Sequence, residues 1–322
     1  MISFGPIHIY PYGLCIAVSA ALALLLAGKR LRAQGMKEET LSVFAVLGLP
    51  LAFLFARLLY CLICIDGFER QGIFYLFDFT AGGYTMYGAI LGGCLAALLT
   101  ARHTAQSFAR IADALAAPAA LVIAAGRMAE GLVGQGYGWY IEDWFDPYME
   151  MSLVHLENID WLLRFPFGTP DMYGEWCWAI YVVEAVLALV IFALSLRVNE
   201  KRPGETAMYA LLMLACAQIL GESLRQDAVL RFGFVRVNQV ISALIIAALL
   251  AFGCIRAKSK KRILTACIAT ILGLAIVIIM EFALEKKVVL LEFWPMDVCY
   301  IVTALACLGL VFSVKHAFRA RA

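Results

Sequence analysis

Two pairs of ionisable residues interrupt long apolar runs, and both pairs have the same spacing. Arg127 and Glu130 lie in Ala-Ala-Gly-Arg-Met-Ala-Glu-Gly, residues 124–131, and Glu222 and Arg225 lie in Gly-Glu-Ser-Leu-Arg-Gln-Asp, residues 221–227. Residues three apart share one face of a helix. A charge near the middle of a bilayer costs roughly 2.5–3.5 kcal/mol on insertion scales. Either each pair is neutralised locally, or the charges line a polar cavity for chemistry. Arg57, in Phe-Ala-Arg-Leu-Leu-Tyr, and Glu184, within the fifth apolar run, add two more. Snorkelling near a helix end is a sufficient reading for Arg57 and Arg225. Several cations and carboxylates near the same membrane depth favour a cavity. Arginine recognises phosphate through two parallel hydrogen bonds, so such a cavity suits an anionic lipid headgroup.

Glycine adds to this reading. Residues 82–93 are Gly-Gly-Tyr-Thr-Met-Tyr-Gly-Ala-Ile-Leu-Gly-Gly. Gly82 and Gly83 break a helix start, where free backbone N–H groups suit an anion. Gly88, Gly92 and Gly93 allow close approach of a second helix.

The elements that must carry these residues follow from composition. Of 322 residues, 63% are hydrophobic and only 16% charged. Soluble domains carry about 25% charged residues. The chain is therefore expected to be an all-α polytopic membrane protein, and disorder is excluded. The net charge of +2 and the lack of a basic stripe give no sign of nucleic acid. A span needs about 20 apolar residues. About nine transmembrane helices are predicted, at 10–28, 41–65, 83–101, 111–134, 177–196, 206–224, 237–255, 263–283 and 298–314. Lys29, Arg30 and Arg32 follow the first run with no cation before it, which reads as a retained span rather than a cleaved signal. Basic residues then recur in alternate loops, through Arg102, Arg110, Arg197, Lys201, Arg202, Lys258 and Arg321. The positive-inside rule puts the N-terminus out and the C-terminus in. The loop 135–176 holds eight carboxylates between Glu142 and Glu175 and is rich in Trp, Tyr and Phe. It is expected to form a small extracytoplasmic head on the outer leaflet. Most of the ten cysteines sit in apolar runs, where they act as small hydrophobes, and no metal site is expected. With no nucleotide-binding loop, no cofactor is expected either. So far the residues leave a lipid-modifying enzyme and a transporter both open.

Five segments, in order, resemble the prolipoprotein diacylglyceryl transferase family. They are Gly5-Pro6 through Tyr12-Gly13-Leu14; Ala56-Arg57-Leu58-Leu59-Tyr60; Gly82-Gly83 through Tyr87-Gly88 to Gly92; Asp113 through Gly126-Arg127 to Tyr137-Gly138; and Glu222-Ser223-Leu224-Arg225-Gln226-Asp227 with Val235 to Ser242. The resemblance implies transfer of diacylglyceryl from phosphatidylglycerol to the lipobox cysteine thiol of exported prolipoproteins. It implies a multi-pass protein of the bacterial cytoplasmic (inner) membrane, whose partners are phosphatidylglycerol and prolipoprotein signal peptides. It divides the chain into a seven-span core, 1–256, and an additional two-helix membrane hairpin, 257–322. Carried over, the resemblance makes Tyr87, Arg127, Glu130, Glu222 and Arg225 catalytic. Tyr12, Arg57, Gly82, Gly83, Gly88, Gly138 and Gln239 would bind substrate.

Some positions depart from the family's pattern. Glu130 stands at a usual Asn, Gln135 at a usual Glu, and Gln218 at a usual Arg. The His-Pro before the fifth span is absent, and Glu175-Trp176-Cys177 stands there, although Glu184 fits the family's Tyr-Glu position. A diverged paralogue that binds lipid or signal peptide without turnover is the alternative these departures raise; a membrane transporter is another.

Overall fold

The computed structural model describes residues 2–4, 7–79, 82–151, 156–171, 173–198, 202–227, 230–233, 235–256, 259–291 and 293–319. Gly5, Pro6, Lys201, Lys258 and Arg321 lie outside the described residues. The chain is an all-α polytopic membrane protein, and eight of its described helices are long and apolar enough to cross a bilayer. A short hairpin of β1 (Ile2–Phe4) and β2 (Ile7–Ile9) precedes α1 (Pro11–Ala33) and α2 (Glu39–Ile63). Two short helices follow, α3 (Asp66–Gln71) and α4 (Phe74–Phe77), then α5 (Met86–Thr104) and α6 (Phe108–Glu130). The head contains α7 (Ile141–Glu150), α8 (Leu156–Ile159), and the antiparallel pair β3 (Gly168–Pro170) and β4 (Trp176–Trp178). Then come α9 (Ile180–Arg197), α10 (Glu205–Leu224), the hairpin β5 (Arg231–Phe232) and β6 (Val235–Arg236), α11 (Val237–Arg256), α12 (Lys260–Leu284) and α13 (Met296–Arg319).

Nine helices match the nine predicted runs in place, and most extend beyond them at one or both ends. Hydropathy marks only the part inside hydrocarbon. Basic residues such as Arg30 and Arg32 continue the last turn of α1, where cations meet the negative end of the helix dipole. The exception to the predicted count is α5, which is not among the eight: its last turn holds Arg102 and His103. It also starts three residues later than expected. Thr85 is extended and its hydroxyl accepts from the Gly88 N–H at 3.1 Å, so Thr85 rather than the Gly82–Gly83 pair caps the helix.

By contacts the chain forms two compact units. One comprises Met1–Ile16, Ala124–Ile191 and Leu211–Ala322; the other comprises Ala17–Ile123 and Phe192–Ala210. In the second unit, α2 and α5 lie against each other. A Cβ at Gly88 would strike the Phe55 carbonyl oxygen, and one at Gly92 the Leu51 carbonyl oxygen, so the expected small-residue contact is real. Gly93 meets nothing. The lone Asp113 within α6 is fully buried. It accepts from Gly204 N at 2.5 Å and Ala207 N at 2.9 Å, satisfying the first free N–H groups of α10.

In the first unit, the head has its own core of Ile141, Ile159 and Leu162, covered by Phe145, Leu163 and Trp178. Helices α12 and α13 pack as a hairpin around Met280, Ala283 and Cys299. Thr270 and Ser313 hydroxyls meet at 2.9 Å within it.

Candidate functional site

The end of α6 and the end of α10 bring their arginines to the same carboxylates. Arg127 donates from Nη1 to Glu130 Oε1 at 2.7 Å, the i,i+3 pair expected from spacing. Arg225 donates from Nη1 to Glu130 Oε2 at 2.8 Å. Glu184, from α9, reaches both: its Oε2 lies 3.1 Å from Arg225 Nη1 and 3.5 Å from Arg127 Nη1. Asp227 completes the set with a two-point pair, Oδ1 to Arg225 Nε at 2.9 Å and Oδ2 to Nη2 at 3.0 Å. Glu184 is only 6% exposed in an apolar helix, which a lone carboxylate tolerates only beside cations.

Glu222 does not pair with Arg225, contrary to the local ion pair that their spacing suggests. Its Oε1 accepts from Gln218 Nε2 at 2.8 Å and Asn238 Nδ2 at 2.7 Å. Gln218 in turn accepts from Arg127 Nη2 at 2.9 Å. So Glu222 acts on Arg127 through one amide. The face argument fails because α10 ends at Leu224, and Arg225 is already beyond it.

Glycines let the backbone wrap this cluster. Gly136, at φ +77°, donates its N–H to Asp227 Oδ2 at 2.6 Å. Gly138 donates to the Trp178 carbonyl at 2.8 Å, and a Cβ there would come within 2.9 Å of the Leu224 carbonyl oxygen. Tyr12, in the first turn of α1, lies within electrostatic reach of Glu130, Arg127 and Arg225. Gln239 is occupied: its Nε2 faces Glu281 Oε1 at 2.8 Å, Ser223 Oγ at 3.0 Å and the Ile219 carbonyl at 3.3 Å. Glu281 belongs to α12, and it also bonds Ser223 Oγ directly. Tyr300, on α13, donates to the Ser223 carbonyl at 3.3 Å, accepts from Trp139 Nε1 at 3.1 Å and stacks on Trp144.

The remaining predicted residues fall in the second unit. Arg57 is 1% exposed. Its guanidinium donates to the carbonyls of Gly82, Gly83 (3.2 Å) and Tyr75 (2.6 Å), with the Tyr75 ring 4.9 Å away. Gly82 and Gly83 have φ of +73° and +77°, which turns these carbonyls toward the cation. The pair thus offers acceptors to an arginine, in place of the expected N–H groups for an anion. Tyr87 is buried in the first turn of α5, and Gly88 lies one residue on against α2.

Thus Arg127, Glu130 and Arg225 come together, Glu222 joins through Gln218, and Gly138 and Gln239 frame them. Sequence reasoning left Glu184, Asp227, Gln218 and Asn238 out of the site. Glu184 carried a signal as a carboxylate within an apolar span, and Asp227, Asn238 and Gln218 stood at positions the family resemblance had picked out.

Chemically, the cluster offers two guanidinium groups, one from α6 and one just past the end of α10, that converge on the carboxylates of Glu130 and Glu184. That suits an anion with several oxygens. The head's own thiol does not compete as a nucleophile: burial, then Asp171, Glu175 and Asp143, push Cys177 up to about 11.

Residues 1–255 match the family model described as prolipoprotein diacylglyceryl transferase. A phosphatidylglycerol–prolipoprotein diacylglyceryl transferase of Oceanobacillus iheyensis is 27% identical over 264 residues, covering 80% of this chain and 88% of that protein. A protein of the same name from Halalkalibacterium halodurans is 28% identical over 266 residues, 80% and 86% of the two chains. Another, from Symbiobacterium thermophilum, is 27% identical over 246 residues, 76% and 87%.

Proposed function

Given that the chain belongs to the prolipoprotein diacylglyceryl transferase family, we propose that it moves diacylglyceryl from phosphatidylglycerol to the lipobox cysteine of prolipoprotein signal peptides. The sulfur forms a thioether with the glyceryl carbon. The bond from that carbon to the phosphate oxygen breaks, and glycerol phosphate leaves with the electron pair. The thiolate is the nucleophile, so the thiol proton must pass to a base. Charge builds on the departing phosphate, and fixed cations stabilise it. Arg127 and Arg225 take that role. Glu222 steadies Arg127 by way of Gln218. Tyr87 orients substrate, and would act as base only with its pKa far below about 10. Tyr12 and Gly138 border the arginines; Gly82, Gly83, Gly88 and Arg57 shape the loop and helix start that would receive the lipid; Gln239 supports the wall behind Glu222.

The observation that carries this reading is the shared hold of Glu130 and Glu184 on both guanidinium groups, in a chain of this family. We assign residues 1–256 as the transferase core and 257–322 as an added hairpin, in the bacterial cytoplasmic membrane with the N-terminus and head outside. Expression in a strain depleted of its own transferase tests the function. Restored growth, with a model lipoprotein heavier by one diacylglyceryl group, is the expected result. Folded protein that leaves the lipoprotein unmodified overturns the assignment.

A further inference from the structure

Glu130 holds Arg127 and Arg225 at once. One of its oxygens accepts from Arg127 at 2.7 Å and the other from Arg225 at 2.8 Å. A phosphodiester has two non-bridging oxygens and would span two guanidinium groups in the same way. Glu184 is arranged differently. Only its Oε2 meets the arginines, and its buried Oε1 has no hydrogen-bond partner among the described residues. Asp227 grips Arg225 from the Nε side, leaving Nη1 to Glu130 and Glu184. Among the described residues, Glu130 is therefore the one carboxylate that bridges the pair through both oxygens. A Cβ at Gly136 would come within 3.0 Å of Glu130 Oε2, so the glycine there leaves the carboxylate room. With Glu130, Glu184, Asp227 and Glu222 around two arginines, an arriving phosphate meets cations already neutralised and like charges nearby.

We propose that Glu130 is an affinity-determining residue: an internal anion seated between Arg127 and Arg225, which the headgroup phosphate must displace to bind. The proposal rests on the transferase reading of the two arginines. An amide at this position keeps the shape but withdraws the competing charge.

The test compares Glu130→Gln, Glu130→Asn and Glu130→Asp in nanodiscs of graded phosphatidylglycerol content, with a lipobox peptide as acceptor. Gln and Asn variants are expected to lower the KM for phosphatidylglycerol by about tenfold, since a buried like charge opposes binding strongly. The Asp variant, which keeps the charge, should keep the parental KM. An unchanged KM in the amide variants, or an Asp variant that shares the drop, overturns the proposal. Mass spectrometry of phosphatidylglycerol retained on each purified protein separates the two readings. If no protein, wild type included, transfers lipid, the function fails; greater retention by the amide variants then still upholds the role of Glu130, and equal retention ends it.

Discussion

Arg57 and Arg127 are both arginines within apolar helices, and their partners differ in kind. Arg57 is met by three main-chain carbonyls and a tyrosine ring. Arg127 is met by Glu130, Glu184 and the amide of Gln218. Carbonyls cannot leave, because they belong to the chain that the arginine organises. A side-chain carboxylate can swing away and let another anion in. The first arrangement ties α2 to the backbone of Tyr75, Gly82 and Gly83. The second holds two arginines on shared side-chain carboxylates. Burial of a guanidinium therefore says little about its job until its acceptors are known.

The comparison can be broken from either side. Arg127→Ala or Arg225→Ala should slow transfer by about 100- to 1,000-fold, the loss seen when a donor to developing charge is removed. Lipid labelling of an acceptor peptide measures it, and activity above a tenth of wild type would remove the arginines from the chemistry. Arg57→Ala should instead act on stability, costing about 3 kcal/mol as three buried carbonyls lose a charged donor. A lower Tm and new proteolysis within residues 66–84 are the expected readouts. Arg57→Lys should not rescue them, because an ammonium lacks the fork that reaches separate carbonyls. Gly88→Ala forces a methyl onto the Phe55 carbonyl and should cost about 1–3 kcal/mol. An unchanged Tm would mean that α2 and α5 are not pressed together there. Smallest is Tyr300→Phe, which deletes one donor to Ser223 and one acceptor for Trp139, about 1 kcal/mol in thermal unfolding.

Much of this was legible in the sequence, for identifiable reasons. Apolar runs located the long helices because nothing else satisfies a backbone in lipid. The Arg127–Glu130 pair was legible because both residues lie within α6. The same reasoning failed at Glu222 and Arg225, where the helix stops between them. The Gly82–Gly83 pair was read as a helix start, but the cap is Thr85 and the glycines turn their carbonyls to Arg57. Asp113 stood in the sequence only as the start of a family-like segment, and its partners Gly204 and Ala207 lie more than ninety residues away. No local pattern encodes such a contact. Glu281 was equally silent, being one acid near the end of an otherwise oily helix.

That glutamate changes what the last two helices mean. The family match stops at residue 255, yet Glu281 holds Ser223 and Gln239, and Tyr300 holds Ser223 and Trp139. A chain truncated after α11 would take the Glu281 carboxylate from Ser223 and Gln239, and the Tyr300 hydroxyl from the Ser223 carbonyl and Trp139. These two helices thus bond to residues that the family match covers, on α10, on α11 and in the head.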